Sequence, residues 1–266
     1  MSLSRPGTTA RCDAWRRGWR MALPFVAPTL VLAAWWWVTA TGRVPLQTLQ
    51  PPAEVFITAR TMLIDGELLD AAAQTLRRIA GGFVLGSLIG IAAGALLGGH
   101  RLLDRYAGPL LYALMHIPGL VWVPALIAAF GIGEGFKFAG IALAVFFPVA
   151  SSVYEAVRGI PVRYLELGAV LKLPPLTRTR RILLPAVWPR LVAGLRIGAS
   201  KAWLVVVFVE LFAASSGLGY LMDSGRTMFQ MDVVLTAVVV AGVLGYAMDC
   251  ALLFAGSRAG RGGLQS

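Results

Sequence analysis

Of the ionisable side chains inside long apolar stretches of the sequence, three are the first candidates for chemistry. They are His116, Lys201 and Glu210. Charged groups are costly in hydrocarbon, so residues of this kind mark ion pathways or buried sites by default. On one helix, Lys201 and Glu210 would lie about 13 Å apart along the axis, too far for a direct ion pair. Two roles stay open for Glu210: a helix–helix hydrogen bond near the outer interface, or gating and translocation.

These side chains do not form a recognised catalytic pattern. The H-E-x-x-H metal-binding pattern and the G-x-S-x-G nucleophile pattern do not occur, and neither does the G-x-x-x-x-G-K-[ST] phosphate loop. We therefore predict no catalytic residue, no metal site and no cofactor in this chain. A membrane-embedded enzyme that uses Glu210, His116 or Lys201 is an alternative without a paired constellation to support it. For His116 alone, a packed or interfacial position competes with contact to an anion.

The composition requires a membrane as solvent. The chain has 266 residues, of which 58% are hydrophobic, and its mean hydropathy is +0.73. A helix that crosses the hydrocarbon core needs about 20 apolar residues. Six stretches meet that requirement: 21–40, 79–98, 107–130, 136–156, 192–214 and 232–256. We predict an all-α membrane protein with about six transmembrane helices.

Basic residues predict how these helices are oriented. Most of the 24 Lys and Arg side chains fall on the side of the membrane that carries the N-terminal cluster, which the positive-inside rule assigns to the cytoplasm. We expect a basic cytoplasmic tail at 1–20, a transmembrane domain at 21–256 and a cytoplasmic tail at 257–266, in a bacterial cytoplasmic (inner) membrane. The charges flank apolar spans instead of forming one stripe, which argues against a nucleic-acid partner.

One long polar loop, residues 156–190, interrupts the apolar second half. Pro161 suits the start of a short helix, and Leu173 before Pro174 predicts its end near Lys172. A second short helix is expected to follow, carry several arginines and end at Pro185. The loop is therefore predicted to form a basic helix-turn-helix at a membrane surface.

The spacing within this loop resembles the EAA loop of permease subunits of bacterial ATP-binding-cassette importers. That pattern is Glu-Ala-Ala, three residues, Gly, nine residues, Ile, one residue and Leu-Pro. The matching positions are Glu166, Leu167, Gly168, Lys172, Ile182, Leu184 and Pro185. Leu167-Gly168 replaces Ala-Ala, and Lys172 replaces the glycine that helps to reverse the chain. The resemblance implies that the loop docks on an ATPase subunit, with Glu166 near the contact.

Two further segments resemble the sulfonate, nitrate and taurine branch of these permeases. One is the turn from Phe130 to Glu134, FGIGE, and the other runs from Glu210 to Leu221, ELFAASSGLGYL. A weaker likeness, to the branch's outer Leu-Pro-x-Pro segment, covers Leu49 to Val55. Candidates for translocation or gating are Pro118, Pro124, Glu210, Ser215, Ser216 and Gly217.

Glycine and proline set expectations for two of the spans. Glycines at every fourth position from 82 to 98 predict close helix packing, with a pore-facing strip as the alternative. Pro118 and Pro124 interrupt the span at 107–130, which predicts a kinked helix that lines a cavity.

The resemblance implies a complete import system. This chain would form the translocation pathway as a homodimer in the lipid bilayer, and an extracytoplasmic solute-binding protein would deliver a small anionic nutrient such as an aliphatic sulfonate, taurine or nitrate. ATP and Mg would be bound by a separate ATPase. Alternatives are the same subunit type for bicarbonate or a vitamin precursor, and an ion-driven secondary transporter, for which the sequence shows no inverted repeat.

Overall fold

The computed structural model describes residues 26–42, 44–45, 48–161 and 179–262, together with positions 163, 166, 170, 171, 174 and 177. These residues are mainly helical and include no strand. The helices are α1 (Val26–Ala40), α2 (Pro52–Ile64), α3 (Glu67–Gly99), α4 (Arg101–Met115), α5 (Val123–Phe130), α6 (Glu134–Arg158), α7 (Leu184–Ala213), α8 (Leu218–Thr227) and α9 (Met231–Gly262). The predicted all-α class is confirmed.

Four helical stretches are long and apolar enough to cross a membrane. They are Glu67–Gly99, Glu134–Arg158, Thr179–Ala213 and Met231–Phe254, and they match the second, fourth, fifth and sixth predicted spans. The first predicted span coincides with α1, a shorter apolar helix. The residues before α1 lie outside the described part of the chain.

The third predicted span, 107–130, is not one helix. It is divided among α4, a 3₁₀ turn at Gly119–Trp122 and the short α5. The break follows from Pro118, because the residue before a proline is displaced from the α region. We expected Pro124 to kink a helix, and it does not. It lies in the first turn of α5, where the missing N–H would have no partner in any case.

Helix α6 is the centre of the packing. Its Ile141, Val145 and Val149 have no exposed surface, and they lie in one apolar cluster with Ala202 and Val206 of α7. Helix α3 covers the other side of α6. These three helices form the frame on which the polar sites are built.

The glycine seam of α3 is the contact with α6. A Cβ atom on Gly86 would lie 2.3 Å from the carbonyl oxygen of Ala142, and one on Gly94 would lie 2.5 Å from that of Ala150. Neither distance is possible for real atoms, so each glycine lets the two backbones approach. The packing interpretation is confirmed, and the pore-facing alternative is wrong.

A smaller apolar cluster joins α2, α8 and α9 to the beginning of α3. Its members include Met62, Leu68, Leu218 and Ala237. The segment between the first two predicted spans is therefore a packed helix, α2, and not a free loop.

We predict that Gly86→Ala lowers the thermal unfolding midpoint of the detergent-solubilised protein. The added methyl group overlaps the α6 backbone, and forced overpacking costs about 1–3 kcal/mol. Gly242→Ala is the matched control, because a Cβ atom there meets nothing within 4 Å. This control should keep or raise the midpoint, since alanine is the better helix former. Equal shifts in the two variants would show that the seam is not tightly packed.

Candidate functional site

The loop between α6 and α7 begins and ends in the same apolar core. Ile160, just after α6, and Val187, near the start of α7, have 7% and 8% of their surface exposed. Both belong to the cluster that contains Val149 and Ala202. Because both ends of the loop are packed there, a force on the loop acts directly on α6 and α7.

The described positions of the EAA-like frame lie on this loop and at its end. Glu166 is helical and exposed. Ile182 is half-buried in a π-helical turn at Thr179–Leu183, and Leu184, the first residue of α7, is 48% exposed. The three remaining positions, Leu167, Gly168 and Lys172, lie outside the described residues.

The predicted end of the second loop helix at Pro185 is wrong. The π-helical turn continues directly into α7, and Pro185 lies in the first turn of that helix. A proline is tolerated there because a local π-helical adjustment can satisfy the carbonyl group that loses its usual N–H donor. Pro189 lies farther inside α7. The transmembrane helix therefore starts within the basic segment that we assigned to the loop.

At the end of α7 that lies away from this loop, Glu210 is completely buried and fully hydrogen-bonded. Its carboxylate accepts hydrogen bonds from Thr75 Oγ1 at 2.8 Å, Arg78 Nη1 at 2.8 Å and the backbone N–H of Gly219 at 3.0 Å. A buried charge needs such partners, because leaving it unpaired is strongly unfavourable. The geometry gives the helix–helix contact that was one of the two roles left open for Glu210.

Arg78 connects this carboxylate to a second one. Only 2% of the Arg78 surface is exposed. Its guanidinium also donates to Glu134 at 2.9 and 3.1 Å and to the carbonyl and hydroxyl oxygens of Ser216 at 2.6 and 2.9 Å. Lys137, which is 4% exposed, donates to Glu134 at 2.6 Å. We call Thr75, Arg78, Glu134, Lys137, Glu210 and Ser216 the outer network.

The SSGLG segment folds around the carboxylate of Glu210. Gly217 has φ of +109°, and a Cβ atom there would lie 2.4 Å from Glu210 Oε1. Both the backbone angle and the lack of space require glycine at this position. The next backbone N–H, that of Leu218, donates to Thr75 Oγ1 at 2.9 Å. Ser215 is exposed and lies outside the outer network.

The partners of Glu210 were not predicted from the sequence. Arg78 and Lys137 were not assigned to any site, and Glu134 was named only as part of a turn. A signal was present, because a carboxylate buried at that level requires a cation. The candidates were the basic residues at the outer ends of neighbouring spans, among them Arg78 at the edge of the predicted span 79–98.

A cavity of about 870 Å³ lies beside α6 and α7. Pro118 and Pro124 line it, as predicted for the broken third span, and so do His116 and Lys201. Most of the remaining wall is apolar, with aromatic side chains from α6 and α7. Glu210 is not part of this wall and points its charge into the outer network instead.

Among the described residues, no group of His, Cys, Asp and Glu suits a metal ion.

We expect Glu210→Ala to destabilise the folded protein strongly. The substitution removes the acceptor of Thr75 and the buried carboxylate that pairs with Arg78, and breaking a buried pair costs roughly 3–5 kcal/mol. The readout is the thermal unfolding midpoint in detergent. Asp223→Ala is the control, because it removes the exposed Asp223–Arg226 pair of α8, for which about 0–1 kcal/mol is expected. A Glu210→Ala midpoint as high as that of the control would contradict a structural role for the outer network.

Comparison with known proteins shows which family and which relatives the chain is similar to. Residues 86–258 match the family described as binding-protein-dependent transport system inner membrane component. The putative aliphatic sulfonates transport permease protein SsuC of Bacillus subtilis is 31% identical over 88% of this chain and 84% of its own length. The nitrate import permease protein NrtB of Leptolyngbya laminosa and the taurine transport system permease protein TauC of Escherichia coli are each 27% identical over 90% of this chain and 88% of theirs.

Solved structures share the fold. A chain of the MetNI methionine ABC transporter in an inward-facing conformation superposes with a TM-score of 0.61 and 21% identity, over 76% of this chain and 98% of that one. The matched family covers more than half of the chain, and its members are transport components without enzymatic activity. The chain therefore belongs to the family of inner membrane components of binding-protein-dependent transport systems.

Proposed function

We propose that this chain is the permease subunit of an ATP-driven importer for a small anion, such as an aliphatic sulfonate, taurine or nitrate. The observation that carries the proposal is the attachment of the exposed loop to the core beside the cavity. Ile160 and Val187 anchor the loop in the α6–α7 cluster, and both helices also line the cavity. Movement of the loop can thus reshape the cavity. The names of the relatives SsuC, NrtB and TauC support the cargo class.

A separate ATPase subunit would bind ATP and Mg and dock on the loop around Glu166. The exposed apolar surface close to this residue supports the docking, since Val170 is 78% exposed and Leu171 is 59% exposed. Exposed apolar groups flanked by charges are typical of interaction sites. The arginines at positions 180 and 181 are exposed as well. In this arrangement the loop faces the cytoplasm, and both termini lie on the same side.

A second copy of the chain would complete the pathway. The open side of the cavity is continuous with exposed apolar residues of α7, which include Ile197 at 51%, Leu204 at 64% and Phe212 at 76% exposure. Two-fold symmetry would place the same residues of two copies against each other, which is the common way in which homodimers close. The cavity would then lie between the two subunits and open alternately to each side of the membrane.

The outer network would move as a single unit during this cycle. Ser216 accepts a hydrogen bond from Arg78, and Gly217 packs against Glu210. The ends of α3, α6 and α7 therefore cannot separate without breaking the ion pairs of Arg78 with Glu134 and Glu210. Gating would therefore come from the break around Pro118 and from α5, which begins with Val123 and Pro124. The solute-binding protein would approach from this outer end.

Charge reversal at Glu166 tests the coupling. We predict that Glu166→Lys lowers ATP-dependent uptake in proteoliposomes by at least about tenfold, because a like or unpaired charge at an interface costs more than about 1.4 kcal/mol. The proteoliposomes would contain this chain, its ATPase and its binding protein, with labelled taurine, ethanesulfonate or nitrate as cargo. Glu54→Lys makes the same charge change on the exposed outer helix α2 and should leave uptake unchanged. Full uptake by Glu166→Lys would remove the coupling assignment, whereas no uptake by the wild-type system would refute the importer.

A further inference from the structure

The wall of the 870 Å³ cavity carries an asymmetric set of charges. Among its lining residues, Lys201 and His116 are the only ionisable ones, and no carboxylate is present. The second large groove, about 510 Å³ between α3, α5 and α6, has no ionisable residue in its lining. The two ionisable residues are thus particular to the first cavity and are not a general property of the apolar surface.

Lys201 also differs from four other basic residues of the long helices. Arg78 and Lys137 are paired in the outer network, Arg158 lies 3.3 Å from Asp104, and Arg196 of the same helix is paired with Asp249 at 3.1 Å. Lys201 has no hydrogen-bond or ion-pair partner among the residues that the structure describes. A cation without a partner in apolar surroundings is unfavourable, so a site with this composition favours an incoming anion.

His116 is the second ionisable residue of this wall. Its Nδ1 atom lies 2.6 Å from the carbonyl oxygen of Tyr112, and a protonated Nδ1 donates to that oxygen. Nε2 is then the ring nitrogen left for a ligand, as is usual when the other nitrogen is held by the backbone. In its doubly protonated form the ring donates Nε2–H to an anion.

The rest of the wall suits an alkyl group better than a fully polar ion. Phe136, Phe147, Phe208 and Phe212 line the same cavity, whose volume is typical of small-molecule sites. An inorganic anion would leave this wall without a partner while losing much of its own hydration. The binding constant of an organic anion rises roughly fourfold for each methylene group that it buries there.

We propose that Lys201 and His116 bind the anionic group of an aliphatic sulfonate during transport, while its alkyl chain lies against the phenylalanine side chains. This inference rests on the importer function proposed above and names the residues that recognise the cargo inside the membrane. The ligand that fits this site is a compact, singly charged oxyanion with an apolar tail.

The test is ATP-driven uptake of labelled pentanesulfonate by the complete importer in proteoliposomes, with labelled nitrate in parallel. Lys201→Gln and Lys201→Met remove the charge, Lys201→Arg keeps it, and His116→Gln removes the second donor. Arg60→Gln is the control, because it makes the same charge change at an exposed position of α2. The amount of permease in the vesicles and the ATPase rate without cargo are measured for each variant, so that a poorly folded variant is recognised.

We expect both neutral Lys201 variants to lower the maximal uptake rate of pentanesulfonate at least tenfold at equal permease content. Lys201→Arg should stay within about threefold of wild type, His116→Gln should lose about three- to tenfold, and Arg60→Gln should be unchanged. If either neutral Lys201 variant is incorporated normally and takes up pentanesulfonate at the wild-type rate, the inference is overturned and the importer function stands. Uptake of nitrate but not of pentanesulfonate by the wild-type system also overturns the inference, and the importer function stands. Failure of the wild-type system to import either anion overturns the importer function as well.

Discussion

One buried guanidinium fixes the half of this protein that lies away from the α6–α7 loop. Arg78 lies between the carboxylates of Glu210 and Glu134 and also holds Ser216, so it joins α3, α6, α7 and the segment before α8. Removal of Glu210 would leave the guanidinium of Arg78 without its buried partner, in surroundings that solvate a charge poorly. The positions of these helix ends are therefore coupled, and the glycines at 217 and 219 are needed to bring the backbone close enough to complete the contact.

The same frame extends inward to the loop that faces the proposed ATPase. The glycine seam holds α3 against α6 over most of its length, and the α6–α7 cluster continues to Ile160 and Val187 at the two ends of the loop. Forces on the loop thus act on a stiff, closely packed unit. The less constrained part is the broken segment from His116 to Phe130, which includes short helices and lines the cavity. Stiff and adjustable parts are separated along the chain, which suits alternating access.

Much of this could be predicted from local sequence. The apolar stretches identify four spans because apolar runs of about 20 residues match the thickness of the hydrocarbon core, and the four-residue glycine period predicts the α3–α6 contact. Proline correctly predicts the helix break at Pro118. It wrongly predicts a helix end at Pro185, where the π-helical turn continues into α7. The outer network was not predicted, because Arg78 and Glu210 are 132 positions apart and only the tertiary packing brings them together. For the same reason, the presence of His116 and Lys201 in one cavity could not be seen from either span alone.

Two kinds of membrane-depth charge are clearly divided in this protein: Arg78 is satisfied within the fold, whereas Lys201 is kept for the cargo. The most direct test is the thermal unfolding midpoint of the detergent-solubilised protein with Arg78→Gln compared with Lys201→Gln. We predict a large decrease for Arg78→Gln, because the buried carboxylate of Glu210 loses its cationic partner. For Lys201→Gln we predict an unchanged or higher midpoint, because an unpaired charge is removed, as is common at functional sites. A decrease for Lys201→Gln as large as that for Arg78→Gln would contradict the division and make Lys201 a structural residue.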